Sequence, residues 1–369
     1  MSTPPPPTHP PQTPESAWPT LQKAIEVTPP SLPPPSFLHR LTRHLGRKRI
    51  PSPALPPGVT ILVYHSVVDP GALHDWERHY IKGQTTIQLF TTQMDIMTEL
   101  MTPIALSEVP ALWQQGCPDR PFFAVTFDDG LQNNLDVAHL VLRSRGIRPT
   151  LFVNGAYAQG VVFYRILVAI LVGTGRAGAL AAALRDAMPD LPWSQEPTTL
   201  FNQTKQYYQP EKMEQSVEQV YRDHCGNPGD LGAHLNVAGV RQLQRDGWEI
   251  GNHTFAHRIL SHLTPQEVAW AVDHNAEFWQ QQQIDLIPFL GYPVGRACDV
   301  HQPVHNYLST RPGLHGMFAN GGINLIATQT EWLRCSLAQA NTRNAVLECL
   351  QKEYSRTKKA LHMIGRDMN

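Results

Sequence analysis

VTFDDG, residues 125–130, closes an apolar run that begins at residue 121. A short apolar run that stops at an Asp-Gly pair predicts a buried strand followed by a turn. The carboxylates of Asp128 and Asp129 therefore lie directly beyond that strand. Burying even one of them unpaired is costly, so the pair favours a bound cation or a proton at this strand end. Taken alone, the motif is more typical of an ordinary turn.

The segments around this motif alternate between strand and helix patterns. TILVYH at 60–65 predicts a strand, and the apolar spacing within 87–101 predicts a helix. A second helix is predicted over 131–145, ending before Gly146, and a third strand over 150–154. Repeated strand-helix units predict a parallel sheet covered by helices, either a barrel or a doubly wound sheet. In both architectures the chemistry lies at the carboxyl ends of the strands.

The alternation stops near residue 156 and returns near residue 236. The intervening residues carry helical patterns, so we interpret 156–235 as a helical insertion that is long for a connection. After it we predict helix 236–246, strand 248–252, a helix begun by a capping box at Thr264 to Glu267, strands 286–291 and 316–319, and a closing helix over 344–364.

NHTFAH, residues 252–257, follows the predicted strand 248–252. On a helical turn, the spacing of His253 and His257 would put both imidazoles on one face, within reach of one ion. Two histidines and a carboxylate at matching strand ends suit Zn²⁺ or another divalent ion. A zinc-protease pattern is excluded because Thr254 stands where that pattern needs a glutamate.

VTFDDG, the strand TLFVN, GWEIGNHTFAH and FLGYPVG together resemble the polysaccharide deacetylase family, the NodB-homology domain. The similarity covers about 59–155 and 236–340. It implies an α/β fold, a distorted and incomplete (β/α) barrel of the NodB type with a helical insertion. We accordingly assign 59–155 and 236–369 to the deacetylase domain, and we expect the proline-rich residues 1–58 to be disordered.

The resemblance also implies roles for individual residues. It makes Asp129, His253 and His257 the metal ligands and Asp128 the base that takes a proton from water. Within FLGYPVG, Pro293 and the backbone amide of Val294 that follows it resemble the family's oxyanion and substrate contacts.

Three departures from the family pattern affect the base and the acid. Gly291 occupies the position of an arginine that orients the base, and Val294 replaces the usual aromatic residue. The late Leu-x-His motif, which supplies a general acid, has no clear counterpart, because Leu361 and His362 are adjacent. His65, at the end of the first predicted strand, is the preferred replacement, ahead of His315. For each histidine a structural role is the simpler interpretation.

Composition restricts the partners. The formal net charge of −1 gives no basic field that would favour nucleic acid.

The apolar run 161–172 is interrupted by Arg165 and is shorter than the roughly 20 residues of a membrane span, so we predict a buried or partner-facing helix. Peripheral membrane contact through the insertion is the alternative for this run. The N-terminus shows no secretory signal, which predicts a cytoplasmic location. Five scattered cysteines without a C-x-x-C pair predict no disulfide framework.

The predicted function is a metal-dependent hydrolase that removes N-acetyl groups from amino sugars of a polysaccharide or glycan precursor. Zn²⁺ is the expected metal, and the carbohydrate is the expected partner. One alternative is a catalytically weakened carbohydrate-binding module that keeps the metal. A glycosidase that uses Asp128 and Asp129 ranks lower, because adjacent carboxylates seldom flank a glycosidic bond.

Overall fold

The computed structural model describes residues 55–80, 84–116, 118–326 and 330–363. Most of the segment predicted to be disordered, and the N-terminal residues behind the predicted location, lie outside the described residues.

Within the described residues, one curled parallel sheet contains eight strands, in the spatial order β1, β5, β6, β7, β8, β9, β10, with β4 paired to β5. A separate two-stranded sheet pairs β2 with β3. The strands are β1 Gly58–Tyr64, β2 Ser66–Val68, β3 Gln84–Thr86, β4 Thr102–Pro103, β5 Pro121–Phe127, β6 Thr150–Val153, β7 Glu249–Asn252, β8 Phe289–Gly291, β9 His315–Met317 and β10 Glu331–Trp332.

The chain beyond β9 returns to β1 and narrows the gap between the two edges of the sheet. The backbone amide of Val59 donates to the carbonyl of Asn324 at 2.9 Å, and that of Cys335 donates to the carbonyl of Ile61 at 2.9 Å. These contacts are isolated bridges rather than a regular ladder. The sheet is therefore a distorted, incomplete barrel, which confirms the predicted fold class.

Side chains alternate between two cores along the strands, as the two-residue period of a strand requires. Ile61, Ala124 and Phe152 belong to one cluster with residues of β8 to β10, while Leu62 and Val125 pack under the outer helices. This alternation determines to which face of the sheet the side chain at the end of each strand points.

The helices of the described residues cover the outside of the sheet and form the insertion. They are α1 Ile87–Leu100, α2 Val109–Gln114, α3 His139–Arg143, α4 Gly155–Ala158, α5 Tyr164–Gly173, α6 Ala177–Ala187, α7 Pro197–Gln206, α8 Pro210–Cys225, α9 Val237–Arg245, α10 Pro265–Gln281, α11 Gln302–Ser309 and α12 Arg343–Met363. The predicted capping box begins α10: the Thr264 hydroxyl accepts from the amide of Glu267, whose carboxylate accepts from the amide of Thr264.

Helices α5 to α8 of the insertion pack around a core of their own side chains, to which Trp76, Leu131 and Ile259 from outside the insertion also belong. The apolar run that tempted a membrane interpretation forms α5, whose residues Ile166, Leu167 and Leu171 are buried in that core. The buried interpretation of this run is confirmed. Among the residues that the structure describes, no helix has both the length and the apolar content that a membrane span requires. Peripheral membrane contact stays a prediction.

Two predicted boundaries were wrong. The helix expected from residue 131 instead begins with a π-helical turn, Asn134–Ala138, before α3. The side chains of Asn133 and Asn134 donate to Ser66, Glu77 and the carbonyl of His65, and these contacts hold the segment against β2. The strand expected from residue 286 begins only at Phe289, because Pro288 has no amide hydrogen to donate to the ladder.

Candidate active site

Asp128 follows β5 on the side that faces the barrel interior. It continues the alternation of Phe122, Ala124 and Thr126, and its amide donates to the carbonyl of Tyr64 at 3.0 Å. Only 2% of the residue is exposed. A carboxylate buried this deeply needs a partner to remain ionised.

Arg334 is that partner. Its Nη1 donates to Asp128 Oδ1 at 2.6 Å, and its Nη2 donates to Oδ2 at 2.9 Å, a two-pronged pairing that fixes the carboxylate plane. Arg334 is itself fully buried, and its Nε donates to the carbonyl of Phe318. Burial opposes ionisation of Asp128, but Arg334, followed by His253 and His65, outweighs it and lowers the carboxyl pKa. Asp128 is therefore ionised at neutral pH.

The glycine at 291 is a packing requirement of this site. A Cβ at Gly291 would come within 2.9 Å of the Phe152 ring and 3.1 Å of His253 Nδ1. No larger side chain fits there without displacing one of them. The orienting arginine, absent from position 291, is instead provided by the chain beyond β10.

Asp129, His253 and His257 converge on one point at the ends of β5 and β7. Asp129 Oδ1 lies 3.4 Å from His253 Nε2 and 3.2 Å from His257 Nε2. All three residues are buried, and their ligand atoms lie within 4.8 Å of one another. Burial opposes ionisation of Asp129, but the two histidines outweigh it and lower the pKa of its carboxyl group.

The backbone around these groups adopts left-handed conformations that non-glycine residues seldom accept. The φ angles are 71° at Asp129, 63° at Thr254 and 54° at His257. Such strain costs on the order of 1–3 kcal/mol per residue and concentrates at functional sites. The helical turn expected for 253–257 was wrong: both imidazoles meet Asp129 because of a left-handed loop.

Buried asparagines hold that loop in place. Asn154 Nδ2 donates to the carbonyls of His253 at 2.6 Å and Thr254 at 2.8 Å. Asn252 Oδ1 accepts from the amide of Thr254 and from Asn275 Nδ2, each at 2.8 Å. The loop therefore keeps its strained shape through hydrogen bonds from Asn154 and Asn252, and Asn275 holds the Asn252 side chain in place.

The arrangement fits a divalent cation. His253 Nδ1 donates to the carbonyl of Gly291 at 2.7 Å, which leaves Nε2 as the lone-pair nitrogen facing Asp129. Asp129 Oδ1 and His253 Nε2 are buried and have no hydrogen-bond partner. Buried acceptor atoms without a partner are costly unless a cation or a donor binds them, and a set of two imidazoles and one carboxylate is typical of zinc sites.

The other predicted site residues are divided between the site and the periphery. His65 Nε2 lies 3.9 Å from Asp128 Oδ2, and 41% of the histidine side chain is exposed to the pocket and solvent. Pro293 is buried, and Val294 lines the same pocket with a φ of 60°. His315 begins β9, at the opposite end of the strand from the site, and packs against Phe289. Leu361 and His362 lie within α12, which gives no Leu-x-His turn at the site.

A pocket of about 280 Å³ opens at Asp129 and His257, and its volume is close to the lower end of the range for small-molecule sites. The barrel provides His65, Asp129, His257, Ile259 and Val294, and the insertion provides Phe163, Tyr164, Arg165, Phe201, Lys205 and Tyr208. Tyr80 completes the lining.

His234 joins the insertion to the Asp-Asp-Gly turn. Its Nδ1 donates to the carbonyl of Asp129 at 3.0 Å, and its Nε2 accepts from the amide of Phe163 at 3.2 Å. Burial lowers its pKa to about 4, so the ring is neutral and can both donate and accept. The end of the insertion therefore fixes the position of the turn that carries Asp129.

Arg334 and His234 were absent from the sequence prediction. One signal existed for Arg334: it interrupts the apolar pattern of EWLRCSL, and a buried arginine almost always needs an acidic partner. Nothing in the sequence, however, identifies which carboxylate it meets. His234 is one of 17 histidines and stands in no recognisable motif.

Fold and site together describe an incomplete (β/α) barrel with a buried Asp-His-His cluster at its strand ends, and this cluster could hold a divalent cation. The family described as polysaccharide deacetylase matches residues 115–308, more than half of the chain. The chain belongs to the polysaccharide deacetylase family, hydrolases that act on amide carbon-nitrogen bonds.

A solved deacetylase structure shares the fold at low sequence identity. IcaB from Ammonifex degensii is 14% identical with a TM-score of 0.50, over 80% of this chain and 98% of that one. The deacetylase PplD of Streptococcus pyogenes, in complex with acetate, is 15% identical with a TM-score of 0.49, over 80% and 99% of the respective chains. A search of curated protein sequences found no match.

Proposed function

We propose that this protein is a divalent-metal-dependent deacetylase that hydrolyses the N-acetyl group of an amino sugar in a polysaccharide or glycan precursor. The observation that carries the proposal is the juxtaposition of the Asp129, His253 and His257 cluster with an ionised, arginine-paired Asp128. Asp129, His253 and His257 would hold the ion. Zn²⁺ is the proposed metal because this donor set suits it.

When bound, the ion would polarise the amide carbonyl and lower the pKa of a water molecule. Asp128 accepts the proton that this water loses as its oxygen adds to the carbonyl carbon. Arg334 keeps the Asp128 carboxylate in one orientation and ionised beforehand. The backbone amide of Val294 donates to the oxygen that becomes negative in the transition state.

His65 donates a proton to the amine nitrogen as the carbon-nitrogen bond breaks, so that acetate and a free amino sugar leave. Its position supports this role: it lines the pocket and lies 3.9 Å from Asp128, on the open side of the site. His315 is not among the described residues that line this pocket.

Acetate release from a panel of N-acetylated oligosaccharides tests the proposal. Purified protein is assayed as isolated, after treatment with a chelator, and after Zn²⁺ is restored. We expect release that the chelator abolishes and Zn²⁺ restores. Oligosaccharide binding without any acetate release would instead favour the carbohydrate-binding module, and new reducing ends would favour a glycosidase.

A further inference from the structure

The wall that the insertion contributes to the pocket carries positive charge. Arg165 from α5 and Lys205 from α7 both line the pocket that contains Asp129 and His257. Apart from Asp129, which belongs to the ligand cluster, no carboxylate lines this pocket in the described part of the chain. The pocket wall that the insertion forms is therefore cationic.

Arg165 is a buried cation whose partners are neutral. It is 6% exposed, and its Nη1 donates to the carbonyl of Phe201 at 2.5 Å and to Thr204 Oγ1 at 2.8 Å. No ion pair joins it to a carboxylate of the described residues. Burial lowers the pKa of Arg165, and the phenols of Tyr164 and Tyr80 offset this only in part. A buried guanidinium without an anion is costly, and a bound anion would offset that cost.

The protein fixes this guanidinium instead of letting it reach solvent. Its Cζ lies 3.8 Å from the centroid of the Phe201 ring, and both groups line the pocket. The two hydrogen bonds to α7 hold the guanidinium plane against that ring. A planar donor fixed in this way is suited to a carboxylate or phosphate group, which accepts two hydrogen bonds side by side.

Aromatic rings surround the same wall. Tyr164 and Tyr208 stack with centroids 5.0 Å apart at an interplanar angle of 14°, and Phe163 lies on the path towards His257, with centroids 4.9 Å apart. Aromatic surfaces with a few fixed polar groups are typical of sites that orient a small ligand. The pocket thus combines an apolar surface for a ring with cations for an acidic substituent.

We infer that the insertion forms a subsite for an acidic group of the substrate, a carboxylate or a phosphate carried by the N-acetylated glycan, which Arg165 and Lys205 bind. This inference rests on the proposed function, because it places the acidic group beside the sugar whose acetyl group is removed. It accounts for Arg165, which interrupts an otherwise apolar helix, and for the position of the insertion at the rim of the site.

Binding of three oligosaccharides tests the subsite: a neutral N-acetylglucosamine tetrasaccharide, the same tetrasaccharide with one phosphate, and a tetrasaccharide that alternates N-acetylglucosamine with glucuronate. Titration calorimetry is done on full-length Asp128→Asn protein, which should bind substrate without consuming it. Acetate release is measured in parallel with Asp128 intact. Each measurement is repeated with Lys205→Met and Arg165→Met, and with Lys212→Met as a control, since Lys212 is exposed on α8 outside the pocket.

We expect at least one acidic oligosaccharide to bind more tightly than the neutral one, by on the order of tenfold or more. The neutral oligosaccharide has no acidic group, so it lacks the hydrogen bonds to charged side chains that the acidic ligand makes. Whichever acidic ligand is preferred identifies the group as carboxylate or phosphate. Lys205→Met and Arg165→Met should reduce this preference, and Lys212→Met should keep it. Arg165 is buried, so thermal unfolding shows whether the Arg165→Met protein remains folded. Lys205 is only half-buried, so Lys205→Met tests the subsite without disturbing the core.

Equal binding of acidic and neutral ligands, or a preference that both pocket variants retain, would overturn the subsite, as would no binding of any oligosaccharide. Acetate release without acidic preference would overturn the subsite alone and leave the proposed reaction standing. Acidic preference that depends on Lys205, in a protein that releases no acetate, would support the subsite and overturn the reaction.

Discussion

Arg334 and Asp128 are separated by 206 residues in the sequence and meet through two hydrogen bonds of 2.6 and 2.9 Å inside the barrel. The contact brings a cation from the chain beyond β10 to the end of β5, where the proposed base lies. Because Arg334 makes no contact with the ligand cluster among the hydrogen bonds described, we regard it as a positioning residue for Asp128.

Arg334→Met should move the acid limb of the kcat/KM profile to higher pH. Asp128 accepts protons only when ionised, and in the intact protein its pKa lies below the ordinary value because Arg334, with His253 and His65, outweighs burial. Without the arginine, burial remains and raises the pKa, so activity is lost at a higher pH as the solution is acidified.

The control for that variant is Arg343→Met, which removes an exposed arginine that pairs with Glu99. Breaking a buried pair also costs about 3–5 kcal/mol, so the unfolding temperature of Arg334→Met should fall while that of the control hardly changes. An unshifted acid limb in a folded Arg334→Met protein would contradict the positioning role.

His65→Asn should lower kcat on N-acetylated sugars by roughly 10² to 10⁴ if the imidazole protonates the leaving nitrogen. An aryl acetate ester, whose leaving group needs no proton, should lose far less. His74→Asn is the matched control, because His74 is 47% exposed and pairs with Asp136 away from the pocket. Equal losses on both substrates would argue that His65 has a structural role.

His253→Ala should lose bound metal and acetate release together, because two remaining protein ligands seldom hold a divalent ion tightly. Elemental analysis of dialysed protein measures the occupancy, and circular dichroism shows whether the fold persists. Full occupancy in a folded variant would contradict the ligand assignment.

Gly291→Ala should weaken metal binding by roughly 10- to 100-fold, the usual effect of disturbing a group that orients a metal-binding histidine. The new methyl group would press on Phe152 and on His253 Nδ1, whose bond to the Gly291 carbonyl fixes the ring. Gly178→Ala, in the exposed part of α6 where a Cβ meets no atom within 4 Å, is the control. Wild-type affinity in Gly291→Ala would show that the ring tolerates the displacement.

The sequence was informative where strand periodicity and a local motif agreed. The run before VTFDDG predicts a strand, and the barrel puts its end beside the end of the strand before NHTFAH, so Asp129, His253 and His257 could be grouped without coordinates. The helical turn through those histidines was wrong because the left-handed loop depends on bonds from Asn154, which follows β6, and from Asn252, whose side chain Asn275 of α10 holds in place.

Contacts between distant segments were beyond prediction from one sequence. The pairing of Arg334 with Asp128 depends on how the chain beyond β10 returns to β1, through bridges that follow no strand pattern. The same holds for Arg165: its position in an apolar run is visible, but its place in the pocket depends on the packing of α5 against α7.

The two adjacent aspartates allow the most direct measurement, because identical side chains are proposed to have different roles. Metal content and acetate release are measured on the same samples of the intact protein, Asp128→Asn and Asp129→Asn. We expect Asp128→Asn to keep its metal while turnover falls by roughly 10² to 10⁴, and Asp129→Asn to lose metal and recover partly in excess Zn²⁺. Equal loss of metal in both variants, or full activity of Asp128→Asn, would contradict the account.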